Sequence, residues 1–363
     1  MIAQRDPTKS EQLFQKLYDS IRQGELPHGT RLTTEVELAR EHHCSRVTVR
    51  AGLRRLEELK LIRRVRGDGT YVDCSGKRFS SRRNIAIVAL GVHSEIYSEI
   101  DPYFSHLMMG LFHNGNKFDF SANFIVCKPS EKSFLESFER QKIDLADYDG
   151  LIFAKQLSAG EIAVLEGKRC NFVTLQAPEE DQEVSCIAID GNGGVYMAAR
   201  HLLERGRRSI VFLHGSLRER INREKLDGFF RALDESRLTS PLDRRHYEIT
   251  PFAEEDSAEL VAQLLKEGQH FDALIIHGDW ATVGAVNALR AAGLRIPDDV
   301  ALVMYNDYAI AQKVTKLAIT SVRQPIEEQI RNALELLLRR HARPSSSKTI
   351  KILQPNLMIR ETS

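Results

Sequence analysis

Apolar positions recur along this chain with two different periods, and the change of period divides it. Within residues 9–23, Leu13, Leu17 and Ile21 fall at four-residue steps, which predicts an amphipathic helix. Leu26-Pro27-His28-Gly29 ends it. Thr34 with Glu37 three residues later has capping-box spacing, so a short helix starts there. Ser45 can cap a further helix in which Val49, Leu53, Leu56 and Leu59 share one face. That leaves Arg46, Thr48 and Arg50 pointing away from the core. Residues 61–66 and 69–72 then flank Gly67-Asp68, a turn pair, and predict a β-hairpin bounded by basic residues. An exposed first helical turn carrying arginines and a hydroxyl suits the major groove of DNA. The plainer reading of Arg46, Arg50, Arg54 and Arg55 is a solvated helix face. Against it stands the order of helix, turn, helix and basic hairpin between residues 33 and 72, which reads as a winged helix-turn-helix.

From residue 84 the pattern becomes short apolar runs alternating with helical stretches. Strands are expected at 85–90, 123–127, 151–154, 172–175 and 187–189, then in a second series at 210–213, 273–276, 301–304 and 321–322. Helical periodicity is clearest at 193–204, 222–234, 258–267 and 280–292. Continuous apolar strands between helices predict parallel sheets covered on both faces. Two such series predict an α/β body of two Rossmann-like subdomains, with the cleft between them as the ligand site. The expected division is a DNA-binding domain over 1–74, a small and basic linker over 75–83, and a two-lobed ligand-binding domain over 84–363.

Charge sharpens this division. The net charge is only +1, but residues 1–83 carry 18 Lys and Arg against 11 Asp and Glu, and the remainder carries 33 against 39. A basic end on an acidic body fits a DNA-binding module joined to something that does not bind DNA. The five cysteines lack CxxC spacing, so free thiols in a reducing cytoplasm are expected rather than a disulfide or a metal site. The first residues lack an apolar signal core, and no run reaches the roughly 20 apolar residues of a membrane span. Cytoplasmic location and no membrane contact follow as expectations. Neither G-x-G-x-x-G after a strand nor a P-loop, a G-x-S-x-G elbow or H-E-x-x-H is found, so no cofactor, metal or catalytic residue is expected. The alternative, an enzyme recruited to DNA by its N-terminal module, has no acid–base or nucleophile constellation behind it.

Two resemblances add to this reading. Gly24-Glu25-Leu26-Pro27-His28-Gly29-Thr30-Arg31-Leu32, Thr34-Glu35-Val36-Glu37-Leu38-Ala39, Ser45-Arg46-Val47-Thr48-Val49-Arg50 and Gly67-Asp68-Gly69-Thr70-Tyr71-Val72 resemble the DNA-binding domain of the GntR family. The resemblance implies DNA contacts from Ser45, Arg46, Thr48, Arg50 and the wing glycine Gly67, with Thr34 at the start of the second helix. An arginine usual after the helix-two glutamate is Val36 here, so that contact is expected to be missing. Arg46 and Arg50 are expected in the major groove, with Lys77, Arg82 and Arg83 near phosphates.

Residues 84–363 resemble the effector domain of the LacI family, which has the type I periplasmic-binding-protein fold. The residues that carry this include Asp101-Pro102-Tyr103-Phe104, Asp149-Gly150-Leu151-Ile152-Phe153, Ile189-Asp190 with Gly193-Gly194, and Leu226-Asp227-Gly228-Phe229. Gly278-Asp279-Trp280-Ala281, Tyr305-Asn306-Asp307 and Thr320-Ser321-Val322-Arg323-Gln324-Pro325 continue it. The combination is similar to that of bacterial arabinose repressors. It implies a homodimeric repressor-type regulator of carbohydrate metabolism that binds a double-stranded operator and is controlled by a small sugar-like effector. Effector contacts are then implied for Tyr103, Phe104, Asp190, Asp279, Asn306 and Gln324. The family's ligand-gripping arginine is Lys225 here, with Arg223 as a possible substitute, and the asparagine before Asp279 is Gly278. Each position also has a plainer role: Trp280 as a core anchor rather than a stacking platform, Asp190 as a helix cap, Asn306 as a turn residue, Arg223 as helix surface.

Overall fold

The computed structural model describes residues 8–22, 25–73, 83–89, 102–118, 120–128, 130–236, 244–249, 253–342 and 348–363. The expectations placed on Leu90, Asp101, Lys77, Arg82 and the linker up to residue 82 lie outside the described residues.

The N-terminal unit holds α1 (Lys9–Arg22), α2 (Glu35–Glu41), α3 (Arg46–Glu58), β1 (Ile62–Val65) and β2 (Gly69–Val72). The capping box forms: Thr34 N donates to Glu37 Oε2 at 2.8 Å, and Glu37 N donates to Thr34 Oγ1 at 3.3 Å. Ser45 Oγ accepts from Thr48 N at 3.1 Å and so starts α3. Leu13, Leu17 and Ile21 of α1 meet Val49, Leu53 and Leu56 of α3 in one buried core, with Leu38 of α2. The hairpin departs from the two-residue turn expected. Val65 pairs with Gly69, so Arg66, Gly67 and Asp68 form a three-residue loop. Gly67 adopts φ +78° at its tip, a conformation that glycine reaches without steric penalty. Arg31 reaches back from an isolated bridge with Tyr71 and donates to the Asp68 carbonyl, bracing the loop.

The body has two lobes, each a six-stranded sheet. The first-lobe strands are β3 (Arg83–Ala89), β4 (Phe120–Val126), β5 (Gly150–Phe153), β6 (Phe172–Thr174), β7 (Cys186–Ile189) and β13 (Ile350–Leu353), in the order β13-β7-β6-β5-β3-β4. All five pairings are parallel. α4 (Pro102–Lys117) and α12 (Ile326–Ala342) cover one face around Leu107, Leu111, Ile330 and Leu334. α5 (Phe134–Gln141) and α6 (Ala159–Gly167) cover the other around Phe134, Phe138 and Leu165.

The second lobe holds β8 (Ile210–His214), β9 (His246–Glu248), β10 (Ala273–His277), β11 (Ala301–Tyr305), β12 (Thr320–Arg323) and β14 (Asn356–Met358). Their order is β14-β12-β11-β10-β8-β9, with only β14 antiparallel. α7 (Gly191–Glu204) and α8 (Arg220–Glu235) pack on one face, α9 (Glu254–Lys266) and α10 (Asp279–Ala291) on the other. α11 (Ile310–Thr315) precedes β12. Among the described residues the chain passes between the lobes three times: after β7, after β12, and between β13 and β14. β9, β13 and β14, which the apolar pattern did not mark, are all edge strands; Ile350 and Ile352 of β13 are exposed. No described helix is long and apolar enough to cross a membrane.

The N-terminal unit rests on the first lobe. Tyr18 Oη donates to Asp149 Oδ1 at 3.1 Å, while the same carboxylate's Oδ2 accepts from Asn84 N at 2.6 Å. Arg169 approaches Glu58 at 3.9 Å beside this contact.

Candidate functional site

The first candidate surface is the start of α3 with the hairpin. Arg46 is exposed, and Val47 beside it is 76% exposed, so the first turn faces solvent. Thr48 is half-buried, and its hydroxyl lies 2.8 Å from Ser45 Oγ. Thr34 and Ser45 both serve as helix caps, which fixes their hydroxyls close to the backbone. Arg50 is exposed but engaged: its Nε donates to Glu35 Oε2 at 2.7 Å, and Arg64 of the hairpin reaches the other Glu35 oxygen at 3.5 Å. Glu35 therefore holds two cations of this face together. Val36, at the position of the missing family arginine, is 47% exposed and adds no charge.

The second candidate site lies at the carboxyl ends of the parallel strands, where ligands enter open α/β sheets. Asp190 follows β7 and caps α7, its Oδ1 accepting from Gly193 N at 2.7 Å. Asn306 follows β11 with φ +99°, and its Oδ1 accepts from Gln324 Nε2 at the crossing after β12. Asp279 is buried at the start of α10, and its Oδ1 accepts from Ile310 N and Ala311 N at 3.1 and 3.2 Å, which anchors α11. Lys225 of α8 is 4% exposed. Its Nζ lies 3.2 Å from His277 Nε2, at the end of β10, and 4.4 Å from the centre of the Tyr305 ring, at the end of β11. Its stem runs beside the first residue of α7: a Cβ built on Gly191 would lie 3.3 Å from Lys225 Cγ. Burial pulls the Lys225 amine down from the ordinary lysine range to about 7. Burial, and next the neighbouring Lys225, push His277 well below the ordinary histidine value.

The other implied effector residues are placed differently. Tyr103 and Phe104 are half-buried against the first-lobe core, their ring centres 5.5 Å apart. Trp280 is half-buried against the second-lobe core, and its indole N–H is buried with no acceptor among the described residues. Arg223 turns across the cleft instead of into it: its Nη2 donates to Glu179 of the first lobe at 2.9 and 3.2 Å. Arg220 beside it donates to the Pro178 carbonyl. These two arginines latch the lobes. His106 of α4 and Tyr308 meet from opposite lobes with ring centres 4.6 Å apart.

Sequence reasoning missed His277, Tyr305 and Glu179. The first two end apolar runs that become adjacent parallel strands, His277 pairing with Tyr305, so their place at a carboxyl edge was available in principle. Glu179 sits in a polar loop and carries no local signal. Among the described residues no group of three or more His, Cys, Asp or Glu could hold a metal ion.

Comparison with known proteins finds two family matches and several relatives. Residues 9–72 match the model of the bacterial regulatory proteins of the gntR family. Residues 199–363 match that of the periplasmic binding protein-like domain. The arabinose metabolism transcriptional repressor of Geobacillus stearothermophilus is 25% identical over 370 residues, covering 97% of this chain and 96% of its own. The solved complex of the transcriptional regulator CelR with cellobiose is 22% identical, with TM-score 0.65, covering 92% of this chain and all of its own. A LacI-family regulator of Enterococcus faecium solved with bound ribose is 24% identical, with TM-score 0.64 over 77% of this chain and 98% of its own.

Proposed function

With a gntR-family helix-turn-helix domain at residues 9–72 and a periplasmic binding protein-like domain at 199–363, we propose that this protein is a transcriptional regulator of carbohydrate metabolism. It binds a near-palindromic operator as a cytoplasmic homodimer, takes a small sugar-like effector between the lobes of its body, and catalyses no reaction. The observation that carries this reading is the join itself: a basic reading face resting on a two-lobed body whose strand ends gather polar groups. The similarity to the arabinose repressor over nearly the whole chain supports the same order of parts.

The reading assigns DNA contact to Arg46, to Arg50 once released from Glu35, and to the hairpin tip at Gly67, with Thr34, Ser45 and Thr48 shaping the helix entries. It assigns effector contact to Asp190, Lys225, Asn306 and Gln324, whose polar atoms line the strand ends. Tyr103, Phe104, Asp279 and Trp280 form the walls behind them, and Arg223 closes the cleft through Glu179. An effector that prefers one lobe arrangement shifts the lobes and, through the first lobe, the two reading units. The exposed Met109 and Phe112 of α4 support the first lobe as part of the dimer interface.

The test is selection of the operator from random DNA, followed by operator titration across a panel of pentoses, hexoses and their derivatives. Selection of a two-fold symmetric site, and a change in affinity with a panel member, are expected. Binding without sequence preference overturns the reading.

A further inference from the structure

Lys225 presents a problem that the regulator reading leaves open. A lysine at 4% exposure normally carries a carboxylate with it, because an unpaired buried ammonium is strongly disfavoured. Here none is present: among the described residues no carboxylate oxygen comes within 4 Å of its Nζ. Its polar contact is His277 Nε2 at 3.2 Å, and its other neighbour is the Tyr305 ring. Glu224, one residue away on α8, is turned to Arg220 at 2.7 Å, and Glu219 accepts from Asn222 at 3.3 Å. Asp190 spends one oxygen on the N-terminus of α7. Behind His277, the buried His214 donates to or accepts from His246 at 2.8 Å and meets the Gly215 carbonyl at 2.7 Å. The side chains that meet between α8, β8 and β10 are thus nitrogen bases, with the acids directed elsewhere.

Resting on the regulator reading, we propose that the effector is an anionic sugar, a phosphate ester or a sugar acid, whose oxyanion seats on the Lys225 amine that His277 holds in place. The amine has two further N–H donors for which the described residues offer no acceptor, and an oxyanion takes both. In a site shielded from water such charge-assisted bonds are short and strong. The anion also supplies the counter-charge that restores the ammonium form, as an opposite charge within a few ångströms does. The polyol part of the ligand then meets the neutral and acidic groups: Asn306 and Gln324 at one side, Asp190 at the other. A guanidinium forks onto two hydroxyls, whereas a compact ammonium beside a histidine suits a concentrated charge.

The experiment is a thermal-shift titration of the full chain at constant ionic strength, with inorganic phosphate, glucose 6-phosphate, glucuronate and glucose against a chloride control. Ligands that bind only the folded state raise the melting temperature by mass action. We expect a saturable rise with one or more of the three anions and at least tenfold weaker response to glucose. Lys225→Met should remove the rise, and Lys225→Arg, which keeps the charge, should retain part of it. A response to glucose 6-phosphate without glucuronate assigns a phosphoryl group, and to glucuronate without glucose 6-phosphate a carboxylate, whereas a response to inorganic phosphate only marks a free-ion site and overturns the proposal. No anion shifting the wild type beyond chloride overturns the proposal, as does a Lys225→Met chain that keeps the full shift. The two readings fail separately. Release from a selected operator by free glucose, with no response to anions, keeps the regulator and removes the anionic class. An anion-dependent shift in a chain that selects no operator does the reverse.

Discussion

Lys225 and Glu35 show how a single side chain sets the charge of a site. The ammonium form of Lys225 is disfavoured in the fold, so the unfolded chain binds one more proton than the native one at pH values between about 7 and the ordinary lysine range. For a lowered lysine the sign is that stability rises with pH across this window, by up to about 1.4 kcal/mol per pH unit. Urea unfolding between pH 7 and 8, below the ordinary thiol range of about 8.5, should show this slope in the wild type. Lys225→Met should lack it. On the other face, Glu35 competes with DNA phosphate for Arg50 and Arg64. Glu35→Gln should therefore raise affinity for random DNA, while Arg46→Ala should lose about 1–3 kcal/mol on the selected operator if Arg46 reads a base. Titrations on both DNAs decide it; an equal loss on both for Arg46→Ala reduces that arginine to phosphate neutralisation.

At the scale of elements, the second lobe depends on two helix contacts too close for a side chain. A Cβ on Gly228 of α8 would sit 2.1 Å from the Asn192 carbonyl oxygen of α7, and one on Gly284 of α10 would sit 1.9 Å from the Glu254 carbonyl oxygen of α9. Backbone cannot yield as a flexible side chain does. Gly228→Ala should lower stability by at least the 1–3 kcal/mol typical of overpacking, read as an earlier urea midpoint. Because α8 carries Lys225, it should also weaken any effector response.

The same elements show what could be read from sequence. Central strands such as β5, β8 and β10 are buried on both faces and announce themselves as apolar runs. β13, with Ile350 and Ile352 exposed and Lys351 between them, and the three-residue β9 lie at sheet edges, where burial imposes no pattern. Helix starts at Thr34 and Ser45 were legible because capping is a local interaction. The partners of Arg50 and Arg223 were not. Glu35 and Glu179 lie 15 and 44 residues away, and only the fold brings them in. The hairpin loop is one residue longer than its local sequence predicts, because Gly67-Asp68 satisfies a two-residue turn locally while pairing of Val65 with Gly69 decides the register.

At the scale of the molecule, α4 leaves Met109 and Phe112 exposed at 69% and 50% on the surface of the first lobe. If this surface joins two copies, Met109→Glu with Phe112→Glu should give a monomer by analytical ultracentrifugation. Operator affinity should fall by at least tenfold, since two half-sites would no longer be held by one particle.

The three passages of the chain between lobes carry a mechanical consequence. Two rigid bodies tied by a single thread can tumble, and tied by two they can still twist. Three ties, after β7, after β12 and between β13 and β14, suppress sliding and twisting and leave chiefly one angular coordinate. Every small molecule that enters the cleft then acts as a torque of one sign or the other on that angle. An inducer and a co-repressor for such a device need not differ in where they bind, only in the direction they push.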